Sequence, residues 1–288
     1  MNNSAPSVSV SGSYWSGSGA LIDIFHEHNS CIVIPNEFTL FSYGQFFEEV
    51  LYPLQFNEID QEIFNRNLQR FANFNQSEIP LIFSILRKIS NFFRLYPERL
   101  FRMRLGMNKI LGEGYKNACR EFEDYCDECI NLKSNYDPKY VSELISKILN
   151  EAYKSKIESK NSLSRLVVFD QFISPAYIEP AKPFLPSTKF IVIDRNWRDQ
   201  YADMRLEVDR MIRVNHKMNI RPFGEEISNT AYTRNDFFIA LRKKVKHLKN
   251  NQKDSKDILW LDFEDVVTNT DNIMKEVFDF LNIDESYW

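Results

Sequence analysis

The sequence lacks the features that mark several large classes of protein. It has no apolar run near the roughly 18 residues that a membrane-spanning helix needs. Its polar start, MNNSAPSVSVSG, lacks the basic and apolar regions of a secretory signal. Four cysteines in 288 residues are too few for a disulfide framework, and a net charge of -4 argues against general binding of nucleic-acid phosphates. These absences predict a cytoplasmic protein with reduced cysteines, no membrane span and no nucleic-acid partner.

Glycine is also scarce, and its distribution is the most unusual feature of the composition. The chain contains only eight glycines, yet Gly12, Gly17 and Gly19 fall within eight consecutive residues. Glycine allows positive φ angles and lets other groups approach the backbone closely. We therefore expect a loop with an uncommon backbone conformation at 12–19.

Short apolar segments alternate with helix-length segments, as is typical of a parallel α/β sheet. Strand patterns cover 6–11, 31–35, 166–169, 189–194 and 258–262, and the first runs through the glycine-rich loop into a helical pattern. Between 37 and 160 only helical patterns occur, including 45–52, 58–74, 78–95, 107–132 and 137–158, and a last helix is predicted at 271–281. We predict an α/β core formed by 1–36 and 161–288, with 37–160 as a helical insertion.

The loop GSYWSGSG, at 12–19, is suited to hold a phosphate. A glycine-rich turn between a strand and a helix directs backbone N–H groups at one point, and the helix dipole adds positive charge there. Ser13, Ser16 and Ser18 add hydroxyl groups. An ATP-binding loop of the form GxxxxGK[ST] would need lysine where Ser18 stands, so a kinase or ATPase is disfavoured. A plain turn from strand to helix remains an alternative.

Three segments, in order along the chain, resemble those of the sulfotransferases. GSYWSGSGALIDIF resembles the loop for the 5′-phosphosulfate, FIVIDRNWRDQYADM the strand and helix for the 3′-phosphate, and ILWLDFEDVVTNTDNIMKEVFDFLNI the C-terminal strand and helix. The resemblance covers the first 40 residues and about 166–283. It implies a three-layer parallel sheet of the P-loop type. It also implies transfer of a sulfuryl group from 3′-phosphoadenosine 5′-phosphosulfate to a hydroxyl, which we expect to be that of a carbohydrate.

The resemblance further implies roles for individual residues. The loop would hold the donor's 5′-phosphosulfate, and Arg195 would hold its 3′-phosphate, with Asp203 where the family has serine. The donor-binding residues implied in this way are Gly12, Ser13, Tyr14, Trp15, Ser16, Gly17, Ser18, Gly19, Arg195 and Asp203. Trp15 replaces a basic residue of the family. Either a cation from elsewhere compensates, with Arg198, Arg221, Arg102 and Arg104 as candidates, or the chain is a catalytically weakened nucleotide-binding or scaffold protein.

Two carboxylates are candidates for the general base that takes the acceptor's proton. Glu37 follows the second strand, whose carboxyl end we expect beside the loop, and Asp170 ends the strand LVVFD. A helix cap or a pair with arginine is the alternative role for either residue. We predict no metal site, because Cys126 and Cys129 lack further ligands nearby. The aromatic-rich insertion also suits a homodimer face, and the basic stretch 242–256 suits either a solvated helix face or contact with an anionic glycan or membrane.

Overall fold

The fold is seen in a computed structural model that describes residues 6–13, 16–38, 60–76, 107–132, 137–157, 166–203 and 234–283. Within these ranges five parallel strands form one sheet in the order β2-β3-β1-β4-β5. The strands are β1 (Ser7–Gly12), β2 (Cys31–Glu37), β3 (Leu166–Asp170), β4 (Thr188–Asp194) and β5 (Ile258–Asp262). All five predicted strands and their parallel arrangement are confirmed.

Helices connect the strands and cover both faces of the sheet. They are α1 (Ser18–Glu27), α2 (Gln61–Gln76), α3 (Met107–Asn131), α4 (Pro138–Ile157), α5 (197–203), α6 (Arg234–Gln252), α7 (Phe263–Thr268) and α8 (Thr270–Leu281). Short helical turns lie between β3 and β4. The helices predicted at 58–74, 107–132, 137–158 and 271–281 are confirmed, whereas those predicted at 45–52 and 78–95 lie outside the described residues.

Alternating strand residues belong to two separate apolar clusters, one on each face of the sheet, and this gives the fold its three layers. On one face, Val10 and Ile191 pack with residues of α1 and α8, such as Phe25 and Phe278. On the other face, sheet residues such as Phe169 join a cluster built from α2, α3 and α4. Side chains of a strand alternate between its two faces, so adjacent residues of β4 belong to different clusters. The predicted three-layer α/β fold of the P-loop type is confirmed.

The helices between β2 and β3 share their core with the sheet. Tyr115 and Phe122 of α3 and Ile148 of α4 are fully buried in the same cluster as the strand residues. The division into a core and an inserted unit at 37–160 stays a prediction. All four cysteines are buried, and none of them forms a disulfide. Across the described part of the chain, no helix is long and apolar enough to span a membrane.

Candidate functional site

The turn that leaves β1 depends on a glycine at its first position. Gly12 ends the strand and lies opposite Ile193 of β4. A Cβ atom added at Gly12 would lie 1.9 Å from the Ser16 Oγ, 2.6 Å from the Ser16 Cβ and 2.8 Å from the Ile193 carbonyl oxygen. Only glycine leaves room for Ser16 to fold back over the strand end, where its side chain is buried.

The helix that follows begins at a second required glycine. Gly17 is the N-cap of α1, with a left-handed φ of 84°, and no side chain caps the helix there. A Cβ atom on Gly17 would also lie 2.4 Å from the Phe263 ring, whereas one on Gly19 would meet nothing within 4 Å. Two of the three clustered glycines are therefore required by the backbone conformation and by close contacts.

The first amides of α1 are available to an anion. The Ala20 amide donates to the Gly17 carbonyl at 3.0 Å. Within the described ranges, no carbonyl accepts a hydrogen bond from the amides of Ser16, Gly17, Ser18 or Gly19. A helix start whose N–H groups have no acceptor carries partial positive charge. The described part of the predicted phosphate loop thus leaves these amides open to an anion, and Tyr14 and Trp15 lie outside the described residues.

Gln171 supports one side of this loop, although no sequence motif marks it. Its backbone, with a φ of 54°, turns directly after β3, and its amide donates to the Val10 carbonyl of β1 at 2.8 Å. Its Nε2 donates to the Ser18 Oγ at 2.6 Å. Its positive φ cannot be read from its sequence neighbours. Gln171 thus fixes the side chain of Ser18 at the start of α1.

Arg195 lies at the same edge of the sheet as the loop. It follows Asp194 at the carboxyl end of β4, and its guanidinium lies 5.0 Å from the centre of the Phe263 ring, the ring that contacts Gly17. The Nη1 atom of Arg195 donates to the Asp203 Oδ2 at 2.5 Å. Phe263 therefore connects the predicted arginine with the loop, and Asp203 contacts that arginine directly.

Arg242, from the basic helix α6, holds several parts of the site together. Its Nη1 lies 2.8 Å from the Asp194 Oδ1, 3.3 Å from the Arg195 carbonyl oxygen and 3.3 Å from the Gln200 Oε1. Gln200, only 1% exposed, donates from Nε2 to the Ser13 carbonyl at 2.8 Å. A hydrogen-bonded chain therefore runs from α6 through α5 to the loop, through residues that the sequence analysis did not assign to the site.

The basic stretch of α6 has an inner side as well as an outer side. Lys249, seven residues after Arg242, lies 3.5 Å from the Asp194 Oδ2 and 2.6 Å from the Asp262 Oδ1. Residues seven apart share one face of a helix. Arg242 and Lys249 thus neutralise carboxylates at the ends of β4 and β5, while Lys243 and Lys246 are exposed.

The two candidate bases lie at different distances from β1 across the sheet. Because β3 separates β2 from β1, the expectation that Glu37 lies directly beside the loop needs correction. The Cα of Asp170 pairs with that of Val10 in β1, and the Cα of Glu37 pairs with that of Asp170. The long helical connection from β2 to β3 allows β3 to insert between the first two strands. Asp170 is therefore one strand from β1, and Glu37 is two strands away.

Of the four arginines predicted as replacement cations, only Arg198 lies within the described residues. The guanidinium of Arg198 lies 5.1 Å from the centre of the Trp197 ring, and that indole is 51% exposed. The other candidates, Arg221, Arg102 and Arg104, lie outside the described residues. Arg198 is thus three residues after Arg195 and lies next to the exposed ring of Trp197.

Comparison with known proteins identifies the family. A family model described as "Sulfotransferase domain" matches residues 58–287, a range that contains β3, β4, β5, Arg195 and Asp203 but begins after the β1–α1 loop. No curated protein matches the chain. The matched range covers well over half of the sequence and agrees with the parallel sheet of the structure. The chain therefore belongs to the sulfotransferase domain family, whose reaction is the transfer of a sulfuryl group.

Proposed function

We propose that the protein transfers a sulfuryl group from 3′-phosphoadenosine 5′-phosphosulfate to a hydroxyl of a carbohydrate. The observation that most supports this proposal is the β1–α1 turn. It combines a left-handed Gly17, buried Ser16 and Ser18 and a helix start without a side-chain cap. Phosphate groups bind at such helix starts because several N–H donors and the helix dipole act on one anion.

The two phosphates of the donor have separate binding residues in this proposal. We use "inner subsite" for the loop 12–19, which would hold the 5′-phosphosulfate, and "outer subsite" for Arg195 and Asp203 beside the 3′-phosphate. The inner subsite consists of Gly12, Ser13, Tyr14, Trp15, Ser16, Gly17, Ser18 and Gly19. Arginine suits the outer subsite because its planar fork pairs with two phosphate oxygens. The contacts of Phe263 with both Gly17 and Arg195 support two subsites on one ligand.

The reaction needs a stabilised leaving group and a proton acceptor. The acceptor's hydroxyl oxygen attacks sulfur, and the bond between sulfur and the bridging oxygen of the 5′-phosphate breaks. The charge that forms on that oxygen is stabilised by the N–H donors of the loop. The hydroxyl proton passes to a carboxylate, for which we propose Asp170 or Glu37. Loss of turnover in Asp170→Asn with turnover retained in Glu37→Gln would assign the base to Asp170, and the reverse would assign it to Glu37.

The carbohydrate acceptor is supported by exposed aromatic surface near the outer subsite. Trp197, two residues after Arg195, is exposed, and such a ring can stack on the apolar face of a sugar. We also propose that 37–160 is an inserted unit, that the protein is cytoplasmic and that it forms a homodimer. Removal of Trp197 should weaken the binding of a carbohydrate acceptor while the affinity for the nucleotide stays unchanged.

Calorimetric titration with 3′,5′-adenosine bisphosphate, compared with ATP and magnesium, tests the proposed donor. We expect the bisphosphate to bind at least about tenfold more tightly, a difference of about 1.4 kcal/mol. Tighter binding of ATP with magnesium would contradict the proposal and favour a kinase-like function. Bisphosphate binding without turnover would favour the second candidate, a catalytically weakened nucleotide-binding or scaffold protein. The ion pair between Arg195 and Asp203 favours that candidate, because it reduces the charge available to a phosphate.

A further inference from the structure

Arg195 is held by several contacts besides that with Asp203. Its backbone amide donates to the Asp194 Oδ1 at 3.0 Å, its guanidinium lies against the Phe263 ring, and its Nε atom is buried. The side chain of Arg195 is only 20% exposed, whereas that of Asp203 is 51% exposed. Asp203 is thus the more solvent-exposed member of the pair.

The carboxylate occupies the part of Arg195 that a phosphate would use. Because Nε is buried, an incoming ligand can reach only the two terminal nitrogens of the guanidinium. Asp203 accepts a hydrogen bond from one of these, Nη1, at 2.5 Å. A bidentate phosphate needs two donors of the fork. Phosphate and Asp203 therefore compete for the same group.

Two neighbouring cations, Arg242 and Lys249, do not offer an alternative positive charge. Arg242 lies against Asp194, and Lys249 lies between Asp194 and Asp262. Each of these cations already faces a carboxylate, as Arg195 faces Asp203. A phosphate dianion would therefore enter an outer subsite where Arg195, Arg242 and Lys249 each face a carboxylate and where the exposed Asp203 repels it.

We propose that Asp203 is a specificity-determining residue that competes with the outer phosphate for Arg195. It lowers the preference of the site for nucleotides with a 3′-phosphate over those with a 3′-hydroxyl. The inference rests on the proposed function, because it takes Arg195 as the residue that faces the 3′-phosphate. It adds that the native protein binds adenosine nucleotides with and without the 3′-phosphate with similar affinity.

The test measures the affinities for 3′,5′-adenosine bisphosphate and 5′-AMP by calorimetry in the native protein and in Asp203→Asn and Asp203→Ser. Both variants should bind the bisphosphate about tenfold more tightly, because one repulsion disappears and Arg195 is released. The affinity for 5′-AMP should change by less than about twofold, since this ligand places no charge at the outer subsite. Two different replacements guard against an effect specific to one side chain.

Two controls connect the effect to the contact itself. Asp199→Asn removes the same charge from an exposed position on α5, four residues earlier, and should leave the affinity ratio of the two nucleotides unchanged. In an Arg195→Gln background, Asp203→Asn should lose most of its tenfold gain, because the residue for which carboxylate and phosphate compete is absent. An equal gain in both backgrounds would overturn the inference.

The outcomes separate the inference from the proposed function. If Asp203→Asn binds the bisphosphate more weakly than the native protein, Asp203 orients Arg195 and the inference is wrong while the proposed function stands. If the native protein already prefers the bisphosphate strongly over 5′-AMP and both variants keep that ratio, the inference is again wrong. If none of the correctly folded proteins binds either nucleotide, the proposed function fails, and the inference fails with it.

Discussion

The proposed inner and outer subsites would present charge to a phosphate in different ways. The inner subsite would use backbone amides at the start of α1, held by the conformations of Gly12 and Gly17. The outer subsite would use the side chain of Arg195, which is already paired with Asp203. Backbone amides cannot be neutralised by a neighbouring side chain as easily as a guanidinium can. We therefore expect the inner subsite to respond to steric changes and the outer subsite to changes of charge.

The largest effect should come from Gly17→Ala, which changes the inner subsite. Alanine at a φ of 84° is strained, and its Cβ would lie 2.4 Å from the Phe263 ring. We expect a loss of about 2–3 kcal/mol in the free energy of unfolding. The affinity for 3′,5′-adenosine bisphosphate should fall more than about tenfold, because Phe263 also supports Arg195. Denaturant titration and calorimetry measure the two quantities.

Gly19→Ala is the matched control for this experiment. A Cβ atom there meets nothing within 4 Å, and the residue lies in the first turn of α1. Alanine favours helix relative to glycine, so the free energy of unfolding should stay the same or rise by up to about 1 kcal/mol. Equal losses of stability in the two variants would show that the conformation of Gly17 is not what maintains the inner subsite.

A smaller effect is expected from Arg242→Lys, which changes the support of both subsites. Lysine keeps the charge but lacks the planar fork, so it cannot contact Asp194, the Arg195 carbonyl and Gln200 together. We expect the affinity for the bisphosphate to fall about tenfold and the stability to fall by about 1–2 kcal/mol. Lys246→Gln, which removes an exposed charge from the same helix, should change neither quantity. A loss as large in Lys246→Gln would mean that the general charge of α6 matters, not the contacts of Arg242.

The features of the fold and of the site that could be predicted from the sequence are those with a local sequence signal. The five strands are short apolar segments, and the inner subsite has clustered glycines on either side of a strand–helix boundary. Arg195 was found because its segment resembles that of a known family. Each of these signals lies within a few residues of the feature that it predicts.

The remaining parts depend on contacts between distant segments. The order β2-β3-β1 follows from a helical connection of more than a hundred residues, whose path no local pattern specifies. Gln200 contacts Ser13 across 187 positions, and Gln171 contacts Ser18 across 153. The sequence contains one usable signal for these contacts: Arg242 and Lys249 are seven residues apart in a helix, so they can be expected to share one face of it. The carboxylates that they contact cannot be inferred from this spacing.

The smallest expected effect concerns Glu123, a carboxylate in the layer formed by α2, α3 and α4. It separates the pH dependence of stability, which this layer influences, from the pH dependence of nucleotide binding at the two subsites. Glu123 of α3 has its pKa raised to about 7, first by burial and then by the nearby charges of Asp124 and Asp127, which Arg120 partly offsets. Because its pKa is higher in the folded protein than in the unfolded chain, folding favours the protonated form. The contribution of Glu123 to stability is therefore fully present below its unfolded pKa and is lost as the pH rises toward and through about 7.

Glu123→Gln should remove this dependence of stability on pH and raise the free energy of unfolding by about 1 kcal/mol at pH 8, after allowance for solvent screening. Denaturant titrations from pH 5 to 8 measure it, and Glu128→Gln, an exposed change on the same helix, serves as the control. If the pH profile of bisphosphate binding is the same in Glu123→Gln and the native protein, that profile belongs to the subsites and the phosphate itself. An unchanged slope of stability in Glu123→Gln would show that another group causes it.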